Sequence, residues 1–183
     1  PIIQGILCMV TESEYTPKFS EVLDRFIKRI GEITAWINVV LIAVIILQVV
    51  LRYVFSSGLV ILEELQWHLY AVGIMVGLSY CTISDTHIRL DLMHDRLSQR
   101  RKSTIEIFGT LFLLMPMVII ILVHSWPFVA QSFTQMEGSD AGGTGLPYRW
   151  VVKSFLLTGF GLLGLAGISR LIRAAAFLKS DPR

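Results

Sequence analysis

Apolar, uncharged residues fill four stretches of the chain, 33–51, 65–84, 107–136 and 154–169, with charged or glycine-rich segments between them. Each stretch is near or above the roughly 18–20 residues that a helix needs to cross a hydrocarbon core about 30 Å thick. The fourth is short by itself, but Trp150, Val151 and Val152 extend it if the Lys153 amine snorkels to the interface. The pattern predicts an all-α membrane protein with four transmembrane helices. Ahead of the first span, Phe19, Val22, Leu23, Phe26, Ile27 and Ile30 recur at helical spacing opposite Lys18, Glu21, Asp24, Arg25 and Lys28. That periodicity predicts an amphipathic helix over 16–29, suited to lying on the inner leaflet. Its alternative is a plain cytoplasmic extension of the first span. The expected organisation is a cytoplasmic N-terminal segment over 1–30, a four-span domain over 31–173 and a cytoplasmic tail over 174–183.

Within the spans the polar and small residues fall on defined faces. Thr34, Asn38, Leu41, Ile45, Gln48 and Arg52 follow alternating steps of four and three, which keeps them on one stripe of the first helix. Amide side chains in hydrocarbon need partners, so this stripe is expected to meet another helix, of this chain or of a second protein. Gly73, Gly77 and Cys81 form a small-residue ridge on the second span; Thr158, Gly161, Gly164 and Gly167 form another on the fourth. Pro116 is expected to kink the third span, and Pro127 to bend or end it. The run from Glu137 to Pro147 reads as a glycine-rich flexible loop.

Composition agrees with the pattern. Of 183 residues, 54% are hydrophobic and 16% charged, with mean hydropathy +0.65, whereas a soluble domain carries about 25% charged residues. Net charge is only +2, but thirteen of the sixteen basic residues lie before span one, between spans two and three, or after span four. The positive-inside rule then places both termini and the central loop, with its short basic amphipathic segment, in the cytoplasm. The apolar run at residues 1–10 lacks a basic start and a small-residue cleavage pattern, and is not expected to be a signal peptide.

Candidate chemistry is sparse. The four spans hold no Asp or Glu, and no internal repeat is visible, so the pattern does not match a transporter with a midplane ion site. Glu63 and Glu64 open the second span at the face where Arg52 closes the first, and are expected to pair with it or to favour a helix N-terminus. His87, Asp91 and His94 have a spacing that a metal could use, although a solvated loop explains them equally well. Cys8 and Cys81 form neither a disulfide framework nor a zinc motif. His68 and His124 lie near the outer ends of antiparallel spans. They raise the alternative of a haem- or quinone-binding anchor of a respiratory oxidoreductase.

The order of Arg52, Phe55, Glu63, Glu64 and Trp67, then His87-Ile88-Arg89-Leu90-Asp91 after one span, resembles the small membrane subunit (the Q subunit, DctQ-like) of TRAP transporters, the tripartite ATP-independent periplasmic transporters. The four-span layout and Gly145-Leu146-Pro147 with Trp150 and Lys153 before span four add to the resemblance. It implies a non-enzymatic scaffold without a cofactor or metal, in a bacterial or archaeal cytoplasmic membrane. The implied partners are a large membrane subunit carrying substrate and sodium, a periplasmic substrate-binding protein delivering an organic anion, and membrane lipids; nucleic acid is not among them. On this resemblance, Asn38, Gln48, Arg52, Glu63, Glu64, Trp67, Gly73, Gly77, Gly161 and Gly164 are candidate contacts with the large subunit. His87, Arg89 and Asp91 form a cytoplasmic motif.

Overall fold

A computed structural model of the chain describes residues 18–84, 99–139 and 145–180. They form α1 (Lys18–Val54), α2 (Val60–Ile83), α3 (Gln99–Gly109), α4 (Met115–Thr134) and α5 (Arg149–Ser180), and among them there is no strand. A π-helical turn over Thr110–Leu114 joins α3 to α4, so the two make one long rod. Three helical segments are long and apolar enough to cross a membrane: Ser20–Val54, Arg100–Thr134 and Arg149–Lys179. Helix α2, with 24 residues, is about 36 Å long. It is not among the three, because Glu63, Glu64, Gln66 and His68 near its start dilute its apolar content.

The amphipathic start is no separate helix. Helix α1 runs unbroken for 37 residues from Lys18 through the first apolar stretch, so the two are one continuous helix. The reason is tertiary. Ser20 and Ile27 are fully buried and join α1 to α5, which leaves the segment one side for protein. Val22 and Phe26, from the same expected apolar stripe, point outward and are more than half exposed.

Helix α5 is the hub, packing on α2, α3, α4 and α1, while α1 also packs along α2. Close approach depends on small residues. A methyl group added to Gly159 would lie 2.7 Å from Met75 Cβ on α2; one on Gly167 would lie 2.8 Å from Leu114 on the π turn. Between α1 and α2, a methyl at Gly31 would meet the Tyr80 ring at 2.5 Å. Larger side chains at these positions would force the axes apart.

Pro116 sits in the first turn of α4, directly after the π turn. It lacks an N–H, and its ring opposes the carbonyl four residues back, Phe112, which lies within the π turn. The wider i→i+5 ladder accommodates the proline. Pro127 neither ends nor interrupts α4, which continues to Thr134. Termination comes instead at Met136, held in the left-handed region (φ 46°). There Glu137 N–H donates to Ser132 O (3.1 Å) and Met136 N–H to Phe133 O (3.3 Å), the paired bonds of a Schellman cap.

Candidate assembly surface and its polar clamps

Two polar clusters lock the helices together at opposite ends. At the end where α1 starts and α5 finishes, the Ser20 and Ser169 hydroxyls lie 2.7 Å apart, and Ser169 also donates to Asp24 Oδ1 at 2.6 Å. Arg173 Nη1 reaches Asp24 Oδ2 at 3.2 Å. One turn earlier on α5, Arg170 Nε bonds Glu106 Oε1 of α3 at 2.6 Å, and its Nη1 donates to Thr82 O of α2 at 3.2 Å. A single helical turn of α5 thus touches three other helices. These contacts neutralise charge and satisfy a carbonyl in the last turn of α2, both costly to leave unmade where water is scarce.

The opposite end is held by two glutamates. Glu64, on the second turn of α2, accepts from the Ser139 hydroxyl and from Leu146 N–H (2.7 Å). It thereby anchors both edges of the segment whose residues 140–144 lie outside the described structure. Glu137 pairs with Lys153 of α5 through its carboxylate, and its backbone carbonyl accepts Arg149 N–H at 3.1 Å. The Lys153 ammonium donating to it holds the Glu137 carboxyl below its ordinary range. Lys153 also lies 4.1 Å from the centroid of the Phe128 ring, and Trp150 meets Phe133 edge-on at 5.2 Å.

The predicted contact residues separate into three groups. Gly73 faces Asn38 within the chain, where an added methyl would stand 3.3 Å from Asn38 Oδ1, and Gly164 packs against Val118 of α4. Gly77 and Gly161 face open space. Gln48, Arg52 and Glu63 line an open cleft of about 490 Å³ where α1 ends and α2 begins, and Trp67 is 70% exposed. Among the described residues Arg52 pairs with neither glutamate: Glu64 is turned to Ser139 and Leu146, and Glu63 forms no ion pair there. The polar stripe of α1 is also rotated from expectation. Thr34, Leu41 and Gln48 are half-buried on the seam, whereas Asn38, Ile45 and Arg52 are exposed beside it.

His124 Nδ1 donates to the carbonyl of Ile120, one turn back on its own helix (2.8 Å), and the residue is exposed. His68 lies on α2, which does not pack extensively on α4; α5 contacts both. This arrangement does not support the haem- or quinone-binding alternative. The motif His87, Arg89 and Asp91, with His94 and Arg96, lies outside the described residues, whereas Arg100, Arg101 and Lys102 of the central basic segment fall in the first turn of α3. Sequence reasoning missed Ser20, Asp24, Glu106, Ser169, Arg170 and Arg173. No spacing signal joins serines 149 positions apart.

Long apolar helices, polar clamps at both ends and extensive uncovered flanks define a small helical membrane subunit built to sit among other membrane components. Residues 41–177 match the family described as DctQ: Tripartite ATP-independent periplasmic transporters, DctQ component. The chain belongs to that family and is the small integral membrane subunit of a TRAP transporter. Subunits of this family work with a large membrane component and a substrate-binding protein. No curated protein and no solved structure matches the chain.

Proposed function

We propose that this subunit is a static brace in a sodium-coupled TRAP transporter for organic anions, gripping the large membrane subunit. In this reading α1, α2, the α3–α4 rod and α5 all span the bilayer, with both termini in the cytoplasm. The uneven distribution of basic residues supports that orientation. So does the meeting of the α1 start, α2 end, α3 start and α5 end in one clamp. Placing Glu63 and Glu64 at the outer headgroup level removes the objection that they dilute α2.

The observation that carries the reading is the contrast between locked ends and uncovered flanks. Only 6% of the most apolar window of α1 is buried, against 22% for α5. A chain that moved solute alone would need a polar path, yet its spans hold no carboxylate at midplane depth. A rigid unit with free apolar faces suits bracing. Gly77 and Gly161 are the proposed docking points, since none of the described residues occupies the space before them. Arg52, Glu63 and Trp67 border that surface at the outer end. The substrate-binding protein would meet the assembly from the periplasm.

Co-purification tests the reading. Gly77→Leu and Gly161→Leu should lower recovery of the large subunit while leaving the small subunit's own thermal transition in place. Uptake by reconstituted vesicles should require the large subunit, the binding protein and a sodium gradient. Solute accumulation with the small subunit alone would refute it.

A further inference from the structure

We propose that the cleft between the outer ends of α1 and α2 binds the headgroup of an ethanolamine-type phospholipid, a phosphate diester joined to a primary ammonium. Arg52, Ser56, Gly58 and Val60 line one part of the cleft, and Gln48 and Glu63 complete it. It therefore presents both signs of charge to a volume of about 490 Å³. Arg52 and Glu63 are exposed, and neither side chain makes an ion pair or hydrogen bond with another described residue.

The phosphate side follows from the turn geometry. Leu59 precedes α2 and has no side-chain oxygen to cap it. The first bonds of the helix are Leu62 N–H and Glu63 N–H to Leu59 O, at 3.1 and 3.3 Å, so the Val60 and Ile61 amides come before them. An uncapped helix start carries partial positive charge and favours an anion. Here it stands beside the Arg52 guanidinium and the Ser56 hydroxyl, the latter on a residue held at φ 49° in the connecting turn. Guanidinium, hydroxyl and backbone N–H are the donors that a phosphate diester takes.

The ammonium side is built from acceptors. Glu63 offers a carboxylate, and Gln48 Oε1 is buried without a hydrogen-bond partner. A buried amide oxygen left unmet is costly, and a turn of the Gln48 amide toward the cleft would bring it to an ammonium donor there. An anion alone would leave both acceptors facing like charge, so a zwitterion fits better than free phosphate or an acidic headgroup. The surroundings point the same way. Tyr53 (80% exposed), Val54, Phe55 and Leu59 form an apolar rim beside the charges, as an amphiphile requires. The inference rests on α2 crossing the membrane, since that puts the cleft at headgroup depth.

The test uses the full chain in complex with its large subunit, extracted in mild detergent and weighed by native mass spectrometry after addition of phosphatidylethanolamine or phosphatidylglycerol. The wild type should retain one phosphatidylethanolamine per chain at this site. Arg52→Gln should weaken retention of both lipids by about tenfold or more, the loss expected for a charge-assisted bond. Arg52→Lys should bind within a few-fold of wild type. Glu63→Gln should keep phospholipid but lose the preference for phosphatidylethanolamine. Equal retention by wild type and Arg52→Gln would overturn the proposal. So would displacement of the lipid by inorganic phosphate, or equal losses in Arg52→Lys and Arg52→Gln. The membrane reading is checked separately by labelling Ser57→Cys, in a background without Cys8 and Cys81, with an impermeant maleimide from outside. Labelling there with no lipid preference would sink the lipid site alone; absence of labelling would sink the spanning assignment.

Discussion

Removing the Arg170 guanidinium is the most informative perturbation of the clamp that ties α5 to α2 and α3. The side chain is 12% exposed, and it joins Glu106 Oε1 at 2.6 Å and Thr82 O at 3.2 Å. Truncating one member of a buried ion pair costs about 3–5 kcal/mol, because the other charge stays desolvated. Glu106 is 30% exposed, so water recovers part of that loss. The expected cost of Arg170→Met is then about 2–3 kcal/mol, including the weakened Thr82 carbonyl contact. On the scaling for soluble domains of similar size this lowers the transition by about 4–12 °C. Thermal unfolding in mild detergent, followed by tryptophan fluorescence, reads it directly. Adding Glu106→Leu should recover part of the loss by removing the charge that has lost Arg170, giving a coupling energy of at least ~1 kcal/mol. A single variant within one degree or so of wild type, or a double variant no better than the single, would refute this account of the clamp.

Three further outcomes follow from other contacts. Gly159→Ala should destabilise the fold by about 1–3 kcal/mol, since its methyl meets Met75 Cβ at 2.7 Å; an unchanged transition would mean that α2 and α5 separate more easily than their packing implies. Ser169→Ala should cost about 1–2 kcal/mol by stripping a partner from both Ser20 and Asp24, and Ser169→Thr should restore the hydrogen bonding if the extra methyl fits. Glu137 makes the clamp it forms with Lys153 acid-sensitive. Its folded pKa is depressed by Lys153, so its stabilisation is complete above the unfolded value near ~4.3 and is lost as pH falls through the lower folded value. Thermal scans down a pH series should show an acid limb that Glu137→Gln flattens; an identical limb in the variant would contradict the assignment.

Much of the architecture was legible from hydropathy alone. Long apolar runs leave the backbone no alternative to helix in hydrocarbon, and α1, the α3–α4 rod and α5 lie where those runs fall. The effect of Pro116 was also readable, because a missing N–H acts locally. Assigning faces was harder. Gly73 and Gly77 sit four residues apart on one ridge, yet only Gly73 meets another helix of this chain. Asn38 and Gln48 share a stripe by spacing, but α1 is rotated so that Gln48 enters the seam and Asn38 flanks it. A small change in helix rotation moves such residues between protein and surroundings, and periodicity does not report the rotation.

The chain's own pattern of apolar and charged residues determined that the protein is helical and membrane-embedded, because burial of backbone polar groups and transfer of charge depend on local composition. Its family could be read from the order of short motifs relative to those runs. Only tertiary packing decided that the amphipathic start docks on α5, that Glu64 holds a loop rather than Arg52, and that Arg170 gathers three helices. Each of these contacts joins residues far apart in the chain. Which acid meets which base depends on how the helices rotate and slide against one another, and that is settled by the fit of Gly31, Gly159, Gly164 and Gly167 against their neighbours.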